Sequence, residues 1–292
     1  MSNITKYIFY GVVWIFFVLG SSVDCWQKDK NLDGQLANLK DYNYVASLQN
    51  RAGEHKCGGI ILTPRKVITT CLCGSKLSLM EMRVVAGSSH VSPIVPGYQV
   101  RIVKTIQKHP SCKLGSDLFV YDIALVDVKY EFIFSKFLNA FPTFYRYKLN
   151  TRNEQLYNSG GATHFQLIIR TSSRCDLVGF GLDRLINETS VSKTARLNKA
   201  EVTMLNNEAC DAELSSCCAF QTKKSGKVSP NGKACTTTAT SRGCREDEGS
   251  PLVCEKKVWA LLSKTVDCGK SPTLYQNIYF GLRMWKDFII FR

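Results

Sequence analysis

A chain of 292 residues with 45% hydrophobic and 21% charged residues has ordinary globular composition, long enough for one or two cores, which excludes wholesale disorder. The formal net charge of +14 points to sulfated glycans, anionic membranes or acidic partners ahead of nucleic acid, with a generally basic surface and no dedicated ligand as the plain alternative. Thirteen cysteines fit an oxidising compartment, where disulfides persist.

Lys6 precedes a continuous apolar run from Ile8 to Leu19, and small residues Gly20, Ser21 and Ser22 follow. This is a secretory signal pattern, so residues 1–22 are expected to be removed by cleavage near Ser22. The rival reading, a membrane anchor, meets a run short for a bilayer span. No later segment is long and apolar enough to cross, so a secreted, extracellular protein without a transmembrane anchor is expected. Without Lys6 the chain keeps 37 basic and 24 acidic residues, a net +13. Asn187 opens the tripeptide Asn187-Glu188-Thr189, a glycosylation acceptor in a secreted chain.

Residues 23–30 form a short polar lead carrying Cys25, and Lys30 stands either as a cleavage point or as a linker residue. Tyr44 to Leu48 and Gly58 to Leu62 read as short strands, and Arg83 to Val103 is β-rich. Asn150 to Gly161 is polar and turn-rich. Leu282, Trp285, Phe288 and Ile289 recur at helical spacing and read as core packing. His55, His90, His109 and His164 lack the short spacings of a zinc site, and no metal or other cofactor is expected.

The stretch Gly243-Cys244-Arg245-Glu246-Asp247-Glu248-Gly249-Ser250-Pro251-Leu252-Val253-Cys254 resembles the nucleophile loop of trypsin-like serine proteases, Cys-x-Gly-Asp-Ser-Gly-Gly-Pro-Leu/Val-Val-Cys. Val67-Ile68-Thr69-Thr70-Cys71-Leu72-Cys73 resembles the family's Val-Val-Ser-Ala-Ala-His-Cys, and Asp122-Ile123-Ala124-Leu125 its Asp-Ile-Ala-Leu. The strand ending in His109-Pro110, Val178-Gly179-Phe180-Gly181, and the tail from Pro272 through Ile289 continue the likeness in order. It runs from about Asn31 to the C-terminus. The resemblance implies an all-β fold, with two packed six-stranded antiparallel β-barrels of the trypsin-like type and a short C-terminal helix. The first barrel would take about 31–142, an enlarged crossing about 143–172 and the second barrel with the helix about 173–292.

By the same resemblance Leu72 stands at the position of the general base, Asp122 is the retained triad carboxylate, and Glu248 stands at the position of the nucleophile. Acyl transfer needs a hydroxyl nucleophile, a base and an orienting carboxylate. Leucine has no lone pair to take a proton, so the chain reads as an inactive serine protease homolog. In the oxyanion loop Glu246 replaces a glycine beside Asp247. Arg242 stands where trypsin carries its specificity aspartate, and Lys264, Thr265 and Thr273 where the family commonly has Trp, Gly and Gly, narrowing the pocket. An internal pair of Arg242 with Glu246 or Glu248 is expected to fill it. Asp122 with Glu248 as an acid/base pair, and Cys71 as a thiolate nucleophile, are weaker catalytic readings. Asn31-Leu32-Asp33-Gly34 falls where the family has Ile-Val-Gly-Gly, and the polar Asn31 suits an aliphatic pocket poorly. From Met82 to Tyr121 the one acidic residue is Asp117, so no calcium site is expected there.

Family positions imply the disulfides Cys57–Cys73, Cys175–Cys254, Cys210–Cys235 and Cys244–Cys268. Cys25, Cys71, Cys112, Cys217 and Cys218 are left over, with Cys25–Cys112 as one pairing. The expected role is binding: a regulator, decoy or cofactor in an extracellular protease or signalling network, reproductive or immune. Its partner would be an active protease, an inhibitor or a signalling protein, with no nucleic acid. Residual endopeptidase activity and binding of anionic glycan through Lys223, Lys224 and Lys227 are the alternatives.

Overall fold

Strands form where short aliphatic runs lie between turn residues, and successive side chains point to opposite faces of the pleated sheet. The computed structural model describes residues 34–76, 78–92, 97–112, 121–141, 164–171, 173–181, 195–216, 232–237, 246–265 and 271–282. The first barrel closes in the order β2 (Val45–Gln49), β3 (His55–Thr63), β4 (Lys66–Thr69), β7 (Ala124–Val128), β6 (Gln99–Lys108) and β5 (Arg83–Ala86). The second is built from β8 (Arg174–Gly179), β9 (Asn198–Leu205), β10 (Lys233–Thr236), β13 (Thr273–Asn277), β12 (Lys257–Thr265) and β11 (Pro251–Cys254). β8 pairs with both β9 and β11, closing the ring, and every pairing in both barrels is antiparallel. This is the expected trypsin-like all-β fold. A two-residue strand, β1 (Gln35–Leu36), adds to β9 of the second barrel although the first barrel follows it in the chain.

In β9 the residues Asn198, Ala200, Val202 and Met204 turn inward, while Lys199, Glu201 and Thr203 alternate outward. β2 is buried throughout. Ala46 and Leu48 fill the first barrel, and Val45 packs with Val178, Phe180, Val253, Val258 and Leu261 in a cluster shared by both barrels. The second barrel is filled around Trp259 and Tyr275. Among the described residues helices are few and short, and Trp285, Phe288 and Ile289 of the expected C-terminal helix lie outside them. The helix Asn207–Ser216 begins where the Asn206 side chain accepts from the Ala209 amide at 2.8 Å, and Ile278–Leu282 where Asn277 accepts from Phe280 at 2.8 Å. Both are N-caps of the expected chemistry. A further helical stretch covers 164–170. No helix among the described residues is long and apolar enough to cross a membrane.

Among the described residues four disulfides are formed: Cys57–Cys73, Cys175–Cys254, Cys210–Cys235 and Cys71–Cys112. The last corrects the expectation for the leftover cysteines, because Cys112 is joined to Cys71 and not to Cys25. Cys25, Cys217, Cys218, Cys244 and Cys268 lie outside the described residues, as do residues 1–33, Asn187, Arg242 and the lysines 223, 224 and 227. Cys71–Cys112 ties the turn after β4 to the turn after β6 across 41 residues of chain. Removing both sulfurs is expected to destabilise the chain by about 2–4 kcal/mol through the freed denatured state. Peptide mapping without reduction should recover the linked peptides, and thermal unfolding of Cys71→Ser/Cys112→Ser should show the loss.

Candidate functional site

The loop 246–250 is clamped between the two barrels. From the first barrel, the Gly58 amide donates to the Glu248 carbonyl at 2.8 Å. From the second, the Gly249 amide donates to Leu262 O and the Leu262 amide to Ser250 O, both at 2.8 Å. Glycine is required on both flanks. A Cβ at Gly58 would lie 2.5 Å from Ser250 Oγ and 2.7 Å from Ser250 N, and a Cβ at Gly181 would collide with the Asp247 carboxylate. The same loop meets the short helical turn that follows Leu72, where Lys76 Nζ donates to Glu248 Oε2 at 2.9 Å.

Asp122 is fully buried just before β7. Its Oδ1 accepts from the Leu72 amide at 3.0 Å, its Oδ2 accepts from Ser263 Oγ at 2.6 Å, and its own amide donates to Gln276 Oε1 at 3.1 Å. Behind Ser263 stands a buried cation, for Lys233 Nζ donates to Ser263 Oγ at 2.7 Å. Burial disfavours charge on both ends of this relay. It raises the Asp122 carboxyl, against the pull of Lys233, the Ser263 hydroxyl and the amides of Leu72 and Cys71. It lowers the Lys233 amine to about 8, opposed by Asp122 and reinforced by Lys264. The Leu72 side chain is half-buried beside this relay.

The Glu248 side chain is 9% exposed and folds back onto its own loop. Its Oε2 accepts from the Glu246 amide at 2.7 Å and from Lys76 Nζ at 2.9 Å. Glu246 adopts a φ of 73°, in the left-handed region that L side chains rarely occupy. Three contacts hold it there: the amide bond to Glu248, Lys56 Nζ on its carboxylate at 3.2 Å, and His55 Nε2 donating to its carbonyl at 3.0 Å. His55 is set by Ser47 Oγ, 2.7 Å from its Nδ1. Burial pulls the Lys56 ammonium down, but Glu246 and Glu54 outweigh it and leave its pKa above the ordinary value. A backbone amide of the kind that stabilises a developing oxyanion is therefore already engaged by a carboxylate.

The two carboxylates expected to face Arg242 thus meet Lys76 and Lys56, while Arg242 itself lies outside the described residues. Asp247 is buried against Gly181. Thr265 and Thr273 are direct partners across β12 and β13, with Lys264 opposite Leu274, so two β-branched side chains stand side by side where the resemblance places glycines. Sequence reasoning missed Lys233, Ser263, Lys76 and Lys56. Ser263 alone had a signal, since it immediately precedes the compared positions Lys264 and Thr265. Among the described residues, the group with metal-ligand proximity is Cys71, Cys112 and Asp122, and its two sulfurs are joined to each other.

A model of the trypsin family matches residues 32–286. The chain is 26% identical over 282 residues to a trypsin of Simulium vittatum, covering 93% of this chain and 99% of that protein. It is 24% identical over 254 residues to trypsin alpha of Drosophila melanogaster, covering 86% and 84%. It is 26% identical over 248 residues to ovochymase-2 of Mus musculus, covering 82% of this chain and 35% of that longer protein. Among solved structures, a mutant of human heparin binding protein superposes with a TM-score of 0.59 at 21% identity, covering 87% of this chain and 94% of that one.

The Asp122–Ser263–Lys233 relay sets a stability test. Lys233→Met strands a buried carboxylate and is expected to cost about 3–5 kcal/mol, of which adding Asp122→Asn should restore most, as read by denaturant unfolding. Between about pH 8 and the ordinary lysine value of 10.5, the folded chain binds fewer protons at Lys233 than the unfolded chain. This component of stability therefore grows as pH rises through that window. The pH profile of wild type minus that of Lys233→Met/Asp122→Asn should show the rise.

Proposed function

This chain belongs to the trypsin family of serine proteases, and from that premise we propose that it acts by binding and not by peptide hydrolysis. The observation that carries this reading is Glu248, whose carboxylate sits on the Glu246 amide and is neutralised by Lys76. At the nucleophile position, aligned by motif, a carboxylate supplies no hydroxyl. Its charge also opposes an oxyanion developing in the same place. Leu72, at the base position, offers its amide to Asp122 and no proton acceptor to a substrate. Loss of either the nucleophile or the base in this chemistry costs about 10⁶ in kcat. The threonine pair across β12 and β13 supports the same reading, by narrowing the space in which a substrate side chain would sit.

The role that follows is that of an extracellular regulator, decoy or cofactor, presenting a protease-shaped surface to an active protease, an inhibitor or a signalling protein. The four disulfides among the described residues and the signal-like leader support secretion. Wild-type protein is expected to stay unlabelled by a fluorophosphonate probe and to leave a broad peptide library intact. Turnover that Asp122→Asn abolishes would overturn the reading. Affinity capture from the native fluid, washed at high salt, should retain a stoichiometric protein partner.

A further inference from the structure

On the outer side of the first barrel, Val100, Ile102 and Lys104 project outward from β6, where Val103 turns into the core. The segment after β7 is laid along the same strand. The Lys129 amide donates to Ile102 O at 2.9 Å, Arg101 Nε to Glu131 O at 2.7 Å, and Gln99 and Ile133 exchange two hydrogen bonds, at 2.7 and 2.9 Å. Phe132 and Leu138 turn inward, while Tyr130, Ile133 and Phe134 remain outside. Ile102 is 60% exposed, Tyr130 61% and Ile133 73%. Two chain segments thus present one preformed apolar face, a feature that marks interaction sites when its members are contiguous.

The rim of this face is cationic. Lys104, Lys129 and Lys136 are exposed and have no carboxylate partner among the described residues. Lys129 lies 5.4 Å from the Tyr130 ring centroid and Lys136 5.0 Å from that of Phe137. The nearby acid Glu131 is engaged by Arg65 at 3.0 Å. Arg101 lies over the Phe132 ring and donates to neutral oxygens.

We propose that this face is a docking surface for an anionic lipid bilayer. The aliphatic side chains of Ile102 and Ile133 would enter the boundary between headgroups and acyl chains, and Tyr130 would lie at headgroup depth. The lysine ammoniums, those of Lys129 and Lys136 beside the rings of Tyr130 and Phe137, would meet the anionic headgroups. A sulfated glycan would use the cations and leave the isoleucines in water. A soluble protein fits less well, because lysine is depleted from protein interfaces, where arginine and tryptophan dominate. The proposal is independent of whether the chain hydrolyses peptides.

The test is flotation of the full secreted chain with phosphatidylcholine vesicles, with and without phosphatidylserine, at physiological salt, beside retention on heparin. Wild type is expected to float with the phosphatidylserine vesicles and not with phosphatidylcholine alone. Ile102→Ser/Ile133→Ser and Lys104→Gln/Lys129→Gln/Lys136→Gln should each reduce vesicle binding by roughly tenfold or more. All five positions are exposed, and circular dichroism checks that both variants fold. Three outcomes would overturn the proposal: flotation unchanged in the isoleucine variant; heparin retention without flotation, which marks a glycan surface; or no flotation with a soluble acidic protein bound through these residues.

Discussion

One buried carboxylate links the polar groups of the two barrels, beside the apolar cluster that they share. Asp122 lies two residues before β7 of the first barrel, yet its side chain and amide reach Ser263 on β12 and Gln276 on β13, with Lys233 of β10 behind the serine. A carboxylate fully removed from water costs several kcal/mol unless charge and hydrogen bonds replace its solvation. Lys233 supplies the charge, and Ser263 with the Leu72 amide supplies the bonds. The arrangement is satisfied in a single register of the barrels, because a shift of one residue in β10, β12 or β13 would turn a partner to the opposite face. The relay is thus better understood as a device for specificity of packing than as a source of net stability.

A second set of charges governs the neighbouring loop. Glu246 and Glu248 are two residues apart and both are largely buried, and two like charges at that distance would push the loop open if left alone. Lys56 and Lys76, from separate elements of the first barrel, neutralise one each. The left-handed Glu246 is tolerated on the same account, since its amide, carbonyl and carboxylate are each held by a different partner. Backbone strain of this kind persists where the surroundings over-determine it. The loop is fixed by electrostatic closure, with its carboxylate as the anion in its own cradle.

The contrast between what was legible in the sequence and what was not follows from this division. The barrels were legible through motif residues whose order survives, and β2 and β3 through short aliphatic runs. Three of the disulfides follow from family positions. Cys71–Cys112 was not legible, since cysteine parity leaves several partners for each sulfur and both lie in turns. Lys233 was hidden for a different reason. Lys-Ala-Cys-Thr reads like any short strand beginning at the surface, and no feature of that spacing reveals that the ammonium crosses the barrel to Ser263. Lys56 and Lys76 likewise look like ordinary surface lysines until the loop 246–250 is folded against them. Long-range ion pairs leave no periodic trace, because they depend on which elements meet and not on spacing within one.

If the cleft between the barrels is closed by its own ion pairs, recognition has to come from surfaces that the fold leaves unsatisfied. Inside the cleft, Asp122, Glu246 and Glu248 each have a cation within the same network, so a ligand entering there would have to displace bonds already made. On β6 the balance is reversed. Ile102, Tyr130 and Ile133 remain in water although Phe132 and Leu138, in the same segment, are buried, and the lysines beside them have no carboxylate partner among the described residues. Neither the apolar groups nor those charges are satisfied by the described chain, and the hydrogen bonds that align the two segments mean that little ordering remains to be done on docking. The same basic composition that supplies Lys56 and Lys76 to Glu246 and Glu248 leaves this outer face with unspent attraction for an anionic, partly apolar surface.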